Sequence, residues 1–214
     1  VTALMMALLL NVQYIRGKVI FRTAFYLPSV VPAVASGLLW TWIFNPDFGL
    51  LNAMLRVVGI GKSMWIYAEA TAVPSLVMMS AWGCGGTMVI YLAGLQSVPI
   101  ELLEAVEIDG GGVLAKFRYC TIPMLSPVLF YNTLMGLIAG FMTFTNTYVM
   151  TSGGPNNATL FTSYLIYRNA FQNNEMGYAS ALAWIVFVVL AAVTVAVFRV
   201  SGRLVYYGDA GDGK

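Results

Sequence analysis

The sequence predicts an all-α integral membrane protein, a polytopic helical bundle of about five spans. Three observations predict it. Of 214 residues, 59% are hydrophobic and 9% charged, with a mean hydropathy of +0.79; a soluble domain carries about 25% charged residues and needs them to cover its surface. Charge is absent over long runs, with no Asp, Glu, Lys or Arg from Ala70 to Ile100 or from Tyr119 to Tyr167. Basic residues gather in alternate connections, the pattern of apolar stretches that cross a bilayer in succession.

Each span follows from length, because a hydrocarbon core about 30 Å thick takes about 20 residues of helix. Residues 1–14 open without Met and without preceding basic residues, so they read as the later part of a span, not a signal peptide. The chain is accordingly read as an N-terminally truncated fragment. Residues 24–44 are charge-free, with Pro28 and Pro32 near their start. Residues 71–98 hold Pro74 at the start and Gly83, Gly85 and Gly86 in the middle. Residues 121–150 open with Pro123 and Pro127, which suit a first turn and kink a helix if deeper. Residues 178–198 are alanine-rich and then strongly aliphatic. Together they read as one transmembrane domain over residues 1–214.

Arg16, Lys18, Arg22, Lys116, Arg118, Arg199 and Arg203 lie in one set of connections; the other set has only Arg56, Lys62 and Arg168. That bias places residues 97–120 and the C-terminus in the cytoplasm. On the opposite side, Asn45–Gly49 is turn chemistry, and the following LLNAMLRVVGIG reads as a short interfacial helix. Ser152–Asn157 forms a second turn, and Asn169–Asn174 is rich in amides. The glycine-rich tail from Gly208 reads as disordered.

Several chemistries are disfavoured. The chain has no histidine, which removes His-based metal sites and most general-base catalysis. Cys84 and Cys120 lie in or beside apolar segments without metal or redox spacing and read as packing residues. A membrane enzyme would need a catalytic set such as His-Asp or HExxH. An ion-coupled carrier would place ionisable groups inside its spans; the four complete spans have none, although backbone sites for sodium stay open. Gly59-Ile60-Gly61-Lys62-Ser63 superficially resembles a phosphate loop, but Arg56 stands where that loop requires glycine, and no strand precedes it.

Two features inside the spans have two readings each. Gly136 and Gly140 form a GxxxG that lets helices approach closely, within this chain or with another. Phe141, Thr143, Thr145, Asn146 and Tyr148 place polar groups and rings where hydrocarbon is expected, so they face protein or water. They form either a pathway for a polyhydroxyl solute, with rings to stack on, or polar glue between helices. Trp40, Trp42, Trp65, Trp82, Tyr91, Tyr164, Tyr167 and Trp184 fit an interfacial belt more simply than a solute site.

The charged island between the third and fourth spans, Ser97 to Pro127, holds Glu101, Glu104, Glu107, Asp109, Lys116 and Arg118. Pro99 suits a first helical turn. Glu101, Glu104 and Glu107 then share one side of a helix by i,i+3 spacing, with Leu102, Leu103 and Val106 on another. Asp109 and Gly110 to Gly112 stop that helix and permit positive φ. A second short helix, VLAKFRY, leads into the fourth span. The product is a helix-turn-helix knob whose apolar residues seek a groove in a partner.

These residues carry a resemblance. Glu104-Ala105-Val106, Gly110 and, after nine intervening residues, Cys120-Thr121-Ile122-Pro123 resemble the EAA signature of ABC importer permeases. The segments FRTAFYLPSVVPAVASGLLWTWIFNPDFGLLN, TYVMTSGGPNNAT and YRNAFQNNEMGYASALAW are similar to the carbohydrate branch, the maltose-type and multiple-sugar permeases. Val106, Cys120 and Ile122 depart modestly from the pattern. The resemblance implies a six-span core, of which the chain lacks the first span and part of the second, and a transport subunit without catalytic residues. It implies a second homologous permease, a cytoplasmic dimer of ATPase subunits that binds ATP and Mg, and an extracytoplasmic solute-binding protein. Membrane lipid surrounds the chain, in the bacterial inner membrane; no nucleic acid is implied. Glu104, Ala105 and Gly110 are the implied ATPase-coupling residues, with Glu101, Glu107 and Asp109 on the same surface. The implied cargo is a sugar or polyol, the alternative being glycerol phosphate or another small solute.

Overall fold

The computed structural model describes residues 1–12 and 17–201. Arg16, Arg203 and the tail from Gly208, all invoked above, lie outside the described residues. Regular structure within them is helical: α1 Thr2–Asn11, α2 Lys18–Val30, α3 Ala33–Ile43, α4 Leu50–Val57, α5 Glu69–Trp82, α6 Gly85–Gln96, α7 Ile100–Ile108, α8 Val113–Lys116, α9 Ile122–Phe141, α10 Thr162–Tyr167 and α11 Met176–Ser201. A π-turn at Phe117–Thr121 joins α8 to α9, giving one continuous helix Val113–Phe141. That helix and α11 are each long and apolar enough to cross a membrane; α2 with α3 and α5 with α6 pass only as broken pairs.

The breaks have local causes. The uncharged run 24–44 reads as one span, yet the helix stops at Val30 and resumes at Ala33. Pro32 donates no backbone hydrogen bond and biases Val31 away from helical ψ. The run 71–98 breaks at Gly83 and Cys84, between residues of poor helix propensity. The run 121–150 is shifted, starting at Val113 and ending at Phe141. There the Thr143 hydroxyl donates back to the Ala139 carbonyl at 3.2 Å, and the Ser163 hydroxyl takes the Phe141 carbonyl at 3.1 Å, so helix-terminal acceptors are satisfied without another turn.

The helices divide into two units. The first gathers Val1–Ser29, Cys84–Leu137 and the described residues from Ala192 onward. Its core places Ala3, Ala7 and Leu10 of α1 against Met88, Tyr91, Leu92 and Leu95 of α6, closed by Leu125 of α9. Small residues permit the approach: a methyl at Gly94 would sit 2.7 Å from Leu125 Cδ1, and one at Gly85 2.2 Å from the Phe25 carbonyl oxygen. The GxxxG pair behaves differently, since a methyl at Gly136 or Gly140 would meet nothing within 4 Å. Neither glycine mediates packing among the described residues.

The second unit, Val30–Gly83 with Ile138–Ala191, has an aromatic core. Trp40, Phe44, Ile66, Leu76, Met79 and Met150 are buried together, with the Trp40 ring 5.0 Å from Phe44 and 5.8 Å from Trp82. Trp40 is therefore core, whereas Trp42 and Trp184 are exposed as an interfacial belt requires.

Candidate functional site

The knob is built by its backbone. α7 begins after Pro99, which supplies a pre-set φ at the N-cap. It ends in a Schellman motif: Gly110, at φ +80, donates to Glu107 O at 3.0 Å, and Gly111 to Val106 O at 2.8 Å. Gly111 must lack a side chain, because a methyl there would lie 2.5 Å from Val106 Cγ1. The Cys120 thiol donates to the Leu102 carbonyl at 3.5 Å, tying α7 to the π-turn. With the main chain thus fixed, Leu103 and Val106 are half-buried while Glu101, Glu104, Ala105, Glu107, Asp109 and Gly110 are all exposed.

Glu101, Glu104, Ala105 and Ile108 follow i, i+3, i+4, i+7 and form one outward stripe. The apolar part of this surface agrees with the sequence expectation only at Leu102, which is exposed. Leu103 is half-buried and Val106 turns inward onto Gly111, while the most exposed apolar residues are Ile108, Val113 and Leu114, at 86%, 86% and 78% exposure. The i+7 position of the acidic stripe and the first residues after the glycine turn were the signals that mark them. Glu107 is held apart from the other acids by an ion pair with Lys116. The Lys116 hydrogen bond, then its charge, keeps the Glu107 carboxyl below the ordinary carboxylate value.

The second candidate region begins where α9 ends. Phe141 is exposed and contributes its carbonyl to Ser163; Thr143 is spent on Ala139. Thr145 and Asn146 are half-buried at the start of a π-turn, Thr147–Thr151. Tyr148 stacks on Phe144 at 5.5 Å and 17°. Tyr167 then lies 5.1 Å from Phe144 and 5.4 Å from Tyr148, with Tyr164 and Phe171 adjoining. The sequence placed Tyr164 and Tyr167 in a belt; Tyr164 is instead buried within a five-ring cluster. Tyr164, Tyr167 and Phe171 recur at i, i+3, i+7, the one signal that could have revealed it. The hydrogen bond between the Tyr167 and Tyr148 hydroxyls raises the Tyr167 phenol above its ordinary value, since it favours the protonated form. Ring faces bearing hydroxyls suit a solute with apolar C–H faces and many hydroxyl groups.

Thr147, fully buried, and Trp40 leave Oγ1 and Nε1 without a hydrogen-bond partner among the described residues. Beside α10, a cavity of about 390 Å³ is lined by Met142, Ser163, Ile166, Ala183, Val186, Phe187 and Leu190. Its one hydroxyl is already committed to Phe141, so it offers a polar solute little.

Fold and knob define a class: a polytopic helical membrane protein that presents a charged helical knob. The chain belongs to the family of binding-protein-dependent transport system inner membrane components, matched over residues 1–206. It is 40% identical over 209 residues to the probable ABC transporter permease protein YesP of Bacillus subtilis strain 168, covering 96% of this chain and 67% of that protein. It is 32% identical over 202 residues to the arabinooligosaccharides transport system permease protein AraP of the same organism, covering 93% of this chain and 64% of that one. The chain thus spans about two thirds of the length of these curated relatives. The structure superposes on a chain of a bacterial alginate ABC transporter solved in complex with an alginate pentasaccharide-bound periplasmic protein. The TM-score is 0.85 at 21% identity, over 97% of this chain and 73% of that one. This likeness establishes the shared fold.

Proposed function

We propose that the chain is the permease subunit of an ATP-driven importer that moves a sugar or related polyol inward across the bacterial cytoplasmic membrane. The observation that carries this reading is the knob. A short helix is stopped by its backbone and tied down by the Cys120 thiol, and Glu101, Glu104, Ala105 and Ile108 are left exposed. Side chains so presented are free to enter a cleft in a cytoplasmic ATPase dimer, where ATP and Mg would be bound. Closure of that dimer would push on α7. Because α7 is joined by the glycine turn and the Cys120–Leu102 hydrogen bond to the continuous helix Val113–Phe141, the push is delivered to a membrane-spanning helix.

The knob side and the C-terminus face the cytoplasm in this reading, as the basic residues favour. A second permease completes the pathway, and an extracytoplasmic binding protein delivers solute. Asn146, Thr145, Tyr148 and the ring cluster line the part of the pathway that this chain contributes, an assignment favoured by the unspent polar groups beside stacked rings. Phe141 and Thr143 are weaker members, since their backbone or hydroxyl is engaged at the helix end.

The test is uptake of radiolabelled oligosaccharides by the full-length protein co-expressed with its neighbouring genes. Gly110→Asp should abolish uptake and remove the ATPase from detergent pull-downs while the permease stays in the membrane. Asn146→Leu should change solute preference with the ATPase still bound. An ATPase that co-purifies with Gly110→Asp as well as with wild type would refute the docking site.

A further inference from the structure

We infer that α4 and the turn after it form a membrane-surface anchor, an apolar stripe seated among the lipids of an anionic leaflet with Arg56 on their phosphates. Between α3 and α5, each half of a candidate broken span, the chain runs from Ile43 to Glu69 without entering either, which holds this segment at the membrane surface. Its rotation is fixed from one side. Asn52, buried, donates to the Pro46 carbonyl at 2.9 Å and the Ser63 carbonyl at 2.8 Å. Its own oxygen accepts from Ser63 N–H at 3.1 Å and Trp65 Nε1 at 2.9 Å. Leu51 packs inward against the aromatic core.

The opposite face is apolar as well. Leu50, Met54, Val57 and Val58 recur at i, i+4, i+7 and i+8, continue into Ile60, and are all exposed, Val57 at 88% and Val58 at 74%. A helix pinned by Asn52 cannot turn these residues inward. Charge and ring content point to the occupant. From Phe48 to Ala68 there is no Asp or Glu, and the cations are Arg56 and Lys62. Lys62 is taken by Asp47 at 2.6 Å, and Arg56 is exposed. Phe48 and Tyr67 are exposed aromatics of the kind that settles at headgroup depth. An apolar stripe, a cation at its edge, no acid and flanking rings are the composition of a helix that lies in a lipid interface.

The test places single spin labels on the full-length protein, in complex with its partner subunits, with Cys84 and Cys120 replaced by alanine, in phosphatidylglycerol vesicles. At Met54→Cys and Val57→Cys, collisions with oxygen should exceed those with a water-soluble nickel chelate several-fold; at Lys62→Cys the order should reverse. Arg56→Gln should reduce the oxygen excess at position 57 in phosphatidylglycerol and leave it unchanged in phosphatidylcholine. Nickel-dominated collisions at 54 and 57 would mean the stripe faces water, and low collisions with both reagents would mean a protein covers it; either overturns the inference. A photoreactive residue at position 57, in the natural cysteine background, provides an independent reading. Adducts with radiolabelled phosphatidylglycerol support the anchor, and adducts with protein alone refute it.

Discussion

The segments Asn45–Tyr67 and Ile100–Thr121 are both short connections between apolar helices, and both end their helix with the same device. In α7, Gly110 bonds to Glu107 and Gly111 to Val106; in α4, Gly59 bonds to Arg56 at 3.1 Å and Ile60 to Leu55 at 2.9 Å, with Gly59 at φ +76. Each is a Schellman stop. The glycine that superficially suggested a phosphate loop is therefore a helix terminator. Beyond the stop the two segments part. The knob leaves Glu101 and Glu104 outward and is secured by its main-chain stop, the Cys120–Leu102 hydrogen bond and the Glu107–Lys116 pair. The other segment spends polar side chains on its own posture: Asn52 is a four-bond hub, and Asn45 Oδ1 accepts from Asp47 N–H at 2.9 Å and Phe48 N–H at 3.2 Å. The knob thus keeps most of its outward side chains free, as the proposed docking requires, whereas the other segment spends its side chains on holding a fixed rotation.

This contrast can be broken at its strongest point. Gly111→Val puts a branched side chain into Val106 and should unseat the Schellman turn, so uptake by the full transporter falls roughly ten-fold or more, given about 1–3 kcal/mol for such overpacking. Uptake within two-fold of wild type would show that the turn is not what fixes the knob. Asn52→Leu should act on stability instead. It strands the Trp65 indole and the Ser63 amide and carbonyl, which costs about 2–4 kcal/mol and lowers Tm by roughly 5–10 °C. A thermal melt of the purified protein in detergent that shows no shift would refute the hub.

Smaller effects sharpen the comparison. Thr147→Val removes a buried hydroxyl that has no partner among the described residues, so the melt should be unchanged or about 1 kcal/mol more stable. A clear loss would reveal a hidden partner such as a bound water. Least of all, Glu107→Gln should leave the melt unchanged at neutral pH, because its ion pair is exposed. The sign of any residual effect is fixed: the folded carboxyl sits below its ordinary value, so the stabilisation is present above the unfolded value and disappears as pH falls through the folded one. Wild type and variant should converge in acid, and divergence there would reverse the assignment.

Much of the knob was legible because its determinants are local. Pro99, three acids at i,i+3 spacing and a glycine run specify a helix, its polar side and its stop, and α7 with its positive-φ Gly110 followed. The ring cluster was only half legible. Tyr148 drew notice because polar and aromatic residues interrupt an apolar run, but Tyr164 and Tyr167 looked like belt residues until α10 brought them alongside. Asn52 gave no signal, since its partners lie six to 13 residues away across a turn whose path composition does not specify.

The sequence by itself determined that the chain is a helical membrane protein, where its apolar stretches lie, and that a charged knob interrupts them. Hydropathy, helical period and glycine stereochemistry act over a few residues and need no partner. Only the tertiary structure decided where α9 stops and which side chains face inward; the breaks at Val30 and Trp82 have local causes that hydropathy does not show. Hydropathy is indifferent to a broken helix, so the stops at Val30, Trp82 and Phe141 depended on proline, glycine and a hydroxyl reaching across 22 residues from Ser163 to Phe141. Trp40 and Trp42 are two residues apart and equally apolar, yet one is core and the other exposed, because burial is set by what packs against a face, and that is a property of the fold.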